Sequence, residues 1–331
     1  MKRFVKTTEM TLLVICVVFF VFLVIASGGD LVGANSLKVL LQFLAVPILI
    51  GLAQMVVLAV GQLNLAVGAV GGFAAAAMGV MMADHGVPVP LALLFGFLLA
   101  AAAGLANGLL VVLTRINGFI VTLATMTVLL GVQYRLVGTR TVDAYPAGLK
   151  SFGSHALFGV LPLIFLVALA VAGLLALMLR RTVPGRQLLA SGGNPIAARL
   201  SGISNDRSVI LAHTLSGAIL GVAAILTVAS SPGVNKSIGG DWLLPSFAAP
   251  IIGGALLTGG SAVVLGTVLA AFIVRFVDTA RAEFSLEPSW VNFVVGAVVL
   301  GSVVLGQVRT RRQLRRTVVK APDAAVAGGV S

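Results

Sequence analysis

The side chains able to do chemistry in this chain are few. Those set in or against apolar stretches are mostly uncharged: Gln54, Gln62, Asn64, Asn107, Asn117, Thr122 and Thr125. Amides and hydroxyls exchange hydrogen bonds without presenting a fixed charge, which suits a route that binds a polyhydroxylated solute weakly and releases it. The same groups also bond helix to helix in apolar surroundings, so each has a packing role as its alternative. No acid–base or nucleophilic constellation accompanies them. The ten Asp and Glu residues fall in loops, termini or helix ends, and His213 stands alone as either a proton shuttle or a packing residue. The single Cys16 leaves no internal disulfide framework and no Cys/His metal site. No G-x-x-x-x-G-K-[ST] sequence occurs, so this chain lacks that cradle for nucleotide phosphates.

The elements that carry these groups are greasy. Of 331 residues, 59% are hydrophobic and 10% charged, and the mean hydropathy is +1.12. This composition predicts an all-α, polytopic membrane protein. The 39 glycines fit helices whose backbones approach closely in lipid, and Gly104-x-x-x-Gly108 and Gly217-x-x-x-Gly221 read as packing faces. Buried parallel strands would need covering helices with polar faces, and too few such faces exist. About ten spans are expected: Met10–Ser27, Val39–Val60, Leu65–Met82, Leu91–Leu113, Phe119–Val137, Ala156–Leu179, Ser208–Ala229, Leu243–Leu257, Ala262–Val277 and Ser289–Val308. The eighth is short and rich in Pro and Gly, so a broken or re-entrant helix is expected there. The domain reading is a cytoplasmic N-terminus 1–9, a membrane domain 10–308 and a basic, disordered cytoplasmic tail 309–331.

A formal net charge of +12 would suggest nucleic acid in a soluble protein, but here the charge has a side. With the N-terminus inside, Lys2, Arg3, Lys6, Arg115, Arg180, Arg181, Arg186, Arg199, Arg207 and the six basic residues from Arg309 to Lys320 all fall inside. They are the majority of the 22 Lys and Arg, which places both termini in the cytoplasm and argues against a nucleic-acid partner. The segment Arg180–Arg207 is the only long internal stretch a bilayer could not accept. Within it Gly192-Gly193-Asn194-Pro195 predicts a turn and a helix start, and Ile196–Leu200 a short helix ended by Gly202. A plain connecting loop is the alternative.

Several stretches between Gln42 and Gln307 together resemble the membrane permeases of ribose/xylose/autoinducer-type ABC importers. Ser191-Gly192-Gly193-Asn194 through Ala197-Ala198-Arg199-Leu200-Ser201-Gly202-Ile203 is similar to that family's GGN-x-x-AARLSGI loop, and Asn117–Leu123 to its NPFIVTL segment. Two stretches depart from the pattern. Asn64 stands where a GGIDLSVG-like stretch has its carboxylate, and Gly259-Gly260-Ser261-Ala262 replaces a GGxGS-like pattern. The resemblance implies that Gly193, Asn194, Pro195, Ala197, Ala198, Arg199, Leu200, Ser201 and Gly202 form a coupling helix docking into a separate ATPase subunit. It further implies that ATP and Mg bind in that partner and no cofactor in this chain. Also implied are a second permease copy or paralogue, an extracytoplasmic solute-binding protein, a bacterial cytoplasmic membrane and sugar import by alternating access. The competing class is an ion-coupled secondary transporter. It needs a carboxylate inside the membrane, and none is evident in the sequence.

Overall fold

The computed structural model describes residues 2–143 and 146–285, with isolated positions between 287 and 300. The expected tenth span and the basic tail lie outside the continuously described residues. Twelve α-helices are present among the described residues: α1 Lys2–Ala26, α2 Ala34–Ala59, α3 Val67–Ala83, α4 Val89–Thr114, α5 Gly118–Val137, α6 Ala147–Ser154, α7 Leu163–Arg181, α8 Val183–Gly193, α9 Pro195–Leu200, α10 Asn205–Ser230, α11 Leu243–Ile252 and α12 Val264–Glu283. Six of these are long and apolar enough to cross a membrane: α2, α4, α5, α7, α10 and the Glu9–Ala26 part of α1. The chain is therefore an all-α, multi-pass membrane protein.

Several expected boundaries move. The third span begins at Val67 and has 17 residues, about 25 Å of helix, because residues 60–66 are held in non-helical form by polar contacts described below. The sixth span starts at Leu163, since Ala156–Leu157 and Leu161–Pro162 pair as a two-stranded hairpin instead. The ninth runs beyond Val277 to Glu283, its charges Arg275, Asp278 and Arg281 pairing with one another along the helix. The short eighth segment is the 10-residue α11, followed by a non-helical return through Gly259 and Gly260 to the start of α12.

α2 is the centre of the bundle, buried along most of its length. A helix apolar on all sides can be stable only when surrounded by other helices or lipid. α4 and α10 meet backbone to backbone at the two predicted small-residue faces. A Cβ on Gly104 would stand 2.3 Å from the His213 carbonyl oxygen, and one on Gly217 2.3 Å from that of Ala100. Only glycine permits that approach, and in lipid such close packing is a main source of helix association.

The two ends of the bundle are distinct. At one end lie the α2 terminus, α8, α9, the Gly259-Gly260 turn and a bidentate Arg115–Asp206 pair at 2.7 and 2.9 Å. At the other, Asp84 pairs with Arg140, Val142 bridges Val234, and Gly153 sits against the Ala229 carbonyl.

Candidate functional site

The segment Arg180–Arg207 holds two consecutive helices, whereas one was expected. Thr182 caps α8 by accepting from the Gly185 N–H at 3.3 Å, with Pro184 in the first turn. Gly192 and Gly193, expected to turn, are instead the last residues of that helix. Gly192 lies so close to the α2 terminus that a Cβ there would stand 1.8 Å from the Ala59 oxygen and 2.7 Å from the Gly260 N–H nitrogen. Gly260 itself donates to the Ala59 carbonyl at 2.8 Å. The end of α8 thus touches both the central helix and the return before α12.

α9 follows as the sequence predicts. The Asn194 side chain accepts from the Ala197 N–H at 3.0 Å, Pro195 occupies the first helical position, and Gly202 takes a left-handed φ of 77°. Asn205 Nδ2 donates to the Pro195 carbonyl at 2.9 Å, and the Ser191 and Ser208 hydroxyls meet at 2.8 Å in a buried contact. These bonds fasten α8 and α9 to the start of α10. Ala198 turns inward, 4% exposed, while Ile196 and Leu200 are 75% and 85% exposed. An i, i+4 pair of large, exposed apolar side chains on this six-residue helix is a ready docking knob. Ala198, expected against a partner, instead packs within its own chain.

The uncharged polar set divides into three. Gln54, Gln62, Asn64 and Thr122 gather around residues 60–66. The Gln54 amide donates to the Asn64 carbonyl at 2.9 Å and accepts from its N–H at 3.3 Å. Gln62 Oε1 accepts from the Gly118 N–H at 3.0 Å. Asn64 donates to Ser216 on α10 and accepts from the Ala66 N–H, while Thr122 Oγ1 accepts from the Leu65 N–H at 3.0 Å and donates to Gly118. A helix break inside apolar surroundings leaves backbone groups that must be satisfied internally, and these side chains satisfy them. Asn107 and Thr125 form a second group, the hydroxyl donating to Asn107 Oδ1 at 2.6 Å, with Asn107 Nδ2 unpartnered among the described residues. Asn117 stands apart: it is exposed and caps α5 by accepting from the Phe119 N–H at 2.9 Å.

Two further buried groups were not singled out. Ser216 receives Asn64, and Gln133 on α5 donates to the carbonyls of Lys236 and Ile238 at 3.2 and 3.1 Å. The rule that found Gln54, an amide inside an apolar run, would also have found Gln133. His213 is buried with neither ring nitrogen partnered among the described residues, so it is not a hydrogen-bonded core histidine. Among the described residues no three His, Cys, Asp or Glu come together as metal ligands would. Asp278, within the 20-residue α12, is paired with Arg275 and Arg281.

A chain with this architecture has known relatives. The family described as "Branched-chain amino acid transport system / permease component" matches residues 35–303. The chain belongs to this permease family. The permease is 32% identical over 320 residues to the autoinducer 2 import system permease protein LsrC of Enterobacter sp. (strain 638), covering 96% of this chain and 91% of the relative. It is 33% identical over 317 residues, with the same coverage, to the LsrC protein of Klebsiella pneumoniae. To that of Yersinia enterocolitica it is 30% identical over 257 residues, 78% of this chain and 71% of the relative. No solved structure matches it. The importer-type permease resemblance read from Ser191–Ile203 and Asn117–Leu123 is thereby met.

Proposed function

We propose that this chain is the membrane-spanning subunit of an ATP-driven importer in a bacterial cytoplasmic membrane. It takes up a sugar or similar polyhydroxylated solute by alternating access and works with a second permease copy or paralogue. ATP and Mg are bound by separate ATPase subunits, and a solute-binding protein delivers the solute. The kinship with permeases named for autoinducer 2 import supports the solute class.

The observation that carries the reading is α9. It is fastened to the bundle through Asn205 and the Ser191–Ser208 contact yet leaves Ile196 and Leu200 in the open. Exposed apolar residues outside the membrane are costly unless a partner covers them. Movement of a covering ATPase would pass along α8 to the α2 terminus, where Gly192 meets Ala59 and Gly260. An ion-coupled mechanism gains no support from Asp278, which is paired with Arg275 and Arg281.

The test is uptake by the permease reconstituted in vesicles with its ATPase and binding protein. I196D/L200D should insert normally and lose ATP-driven uptake. Parental uptake by that variant, with the ATPase bound as before, would remove α9 from the mechanism.

A further inference from the structure

The stretch between α10 and α11, residues 231–242, is non-helical and lies at the end of the bundle opposite α9. One set of its residues is sunk into the protein. Val234 is fully buried and exchanges both backbone bonds with Val142 at 2.8 Å. The Gly239 backbone lies against Gly68, and the Trp242 ring fills the space beside Gly71. Gln133 holds the Lys236 and Ile238 carbonyls from α5, and Lys236 turns its ammonium over the Tyr134 ring, 5.1 Å from the centroid.

What this anchoring leaves on the open side is a groove of about 840 Å³, within the ~300–1,000 Å³ typical of small-molecule pockets. Asn235, Ser237 and Asp241 are exposed along it, beside the exposed Leu244 and over an apolar floor of the half-buried Ile238 and Leu243. Asn235 uses its Oδ1 to hold the Ser237 N–H at 2.9 Å, and among the described residues its amide N–H groups and the Ser237 hydroxyl have no other partner. Asp241 makes no ion pair or side-chain hydrogen bond among the described residues. An unpaired carboxylate, an amide and a hydroxyl above aliphatic carbon match a sugar's two surfaces, its hydroxyl rim and its C–H face. A carboxylate accepts from two adjacent hydroxyls in a charge-assisted pair, and the floor covers carbon that water solvates poorly.

We propose that this groove is the site where the permease first accepts its solute, a neutral polyhydroxylated molecule. Asp241 takes vicinal hydroxyls, and Asn235 and Ser237 complete the ring of contacts. The proposal rests on the importer reading above. Because the cradle is pinned by Val142, Gln133 and Trp242, it is in place before the solute arrives, and little ordering opposes binding.

The test uses the full reconstituted complex and the radiolabelled solute it accumulates among D-ribose, D-xylose and autoinducer 2. D241N should lower maximal uptake by about tenfold, the loss expected when a charge-assisted contact disappears. ATPase retention and the half-saturating concentration of binding protein should stay unchanged. In a C16A background, S237C should react with a small thiosulfonate reagent, and the transported solute should slow that reaction severalfold. Parental uptake by both D241N and N235A/S237A would overturn the proposal. So would protection of S237C by ligand-free binding protein alone, which would make the groove a protein dock. Should D241N misfold, the S237C protection decides by itself. A parental complex that accumulates none of the three solutes overturns the importer reading, and this proposal with it.

Discussion

Gly192→Ala is the most demanding single substitution for this account. The added Cβ would stand 1.8 Å from the Ala59 oxygen and 2.7 Å from the Gly260 nitrogen. Both neighbours are backbone atoms, so no rotamer change relieves the contact. The end of α8 must retreat by about 1 Å or more, which overpacks a close-packed interior. Overpacking costs about 1–3 kcal/mol, and weakening the Gly260 to Ala59 hydrogen bond adds about 1 kcal/mol. The sum, about 2–4 kcal/mol, corresponds to a fall in melting temperature of roughly 3–6 °C for a chain of this length. The assay is thermal unfolding of the purified permease in detergent, read by loss of the monodisperse species. Gly193→Ala is the control, since its nearest neighbour would be the Gly260 Cα at an ordinary 3.6 Å. Gly131→Ala, with nothing within 4 Å, is a second. If G192A melts with the parent, or G193A falls equally, α8 does not bear on α2 as described.

Other expectations follow from single contacts. Asn64→Leu should destabilise the permease by about 2–4 kcal/mol, because it removes a buried donor to Ser216 and the acceptor for the Ala66 N–H; lost yield with normal uptake per surviving complex is the expected pattern. Asn107→Leu breaks only the Thr125 contact, so slowed uptake with normal assembly is expected if Asn107 lines the route, and reduced yield alone would assign it to packing. The Arg140 hydrogen bond beside Asp84 holds its carboxyl below the usual carboxylate range. The folded-state value is depressed, so the pair's contribution is complete above about pH 4 and disappears as pH falls through the lowered value. Melting measured from about pH 7 to about pH 3 should show this acid-side loss in the parent and not in R140Q. For sidedness, S151C and R199C in a C16A background should label from opposite faces; Ser191 is unsuited because it is buried against Ser208.

Much of this fold was legible because its signals are local. Long apolar runs marked most spans, and Asn194-Pro195 with Gly202 marked α9 within a residue of its observed bounds. What escaped depends on contacts distant in sequence. Gly192-Gly193 read as a turn because glycine weakens an isolated helix, yet it is helical because α8 must approach Ala59 and Gly260. The start of α8 did carry a local signal, Thr182 followed by Pro184, which the glycines after it masked. The uncharged polar residues were visible as a set, but their partition was not. Nothing near Thr122 in sequence says that its hydroxyl meets Leu65, 57 residues away. Residues 231–242 fall between the seventh and eighth expected spans, and the features that make them a cradle, Val142, Gln133 and Gly68, lie on other elements.

The central claim is that α9 meets an ATPase, and site-directed cross-linking tests it most directly. With the assembled complex in a C16A background, L200C treated with a short thiol-to-amine cross-linker should join the permease to the ATPase subunit, while S151C at the other end of the bundle should not. An ATPase cross-link from S151C, or none from L200C in a complex that hydrolyses ATP and transports, would contradict the account.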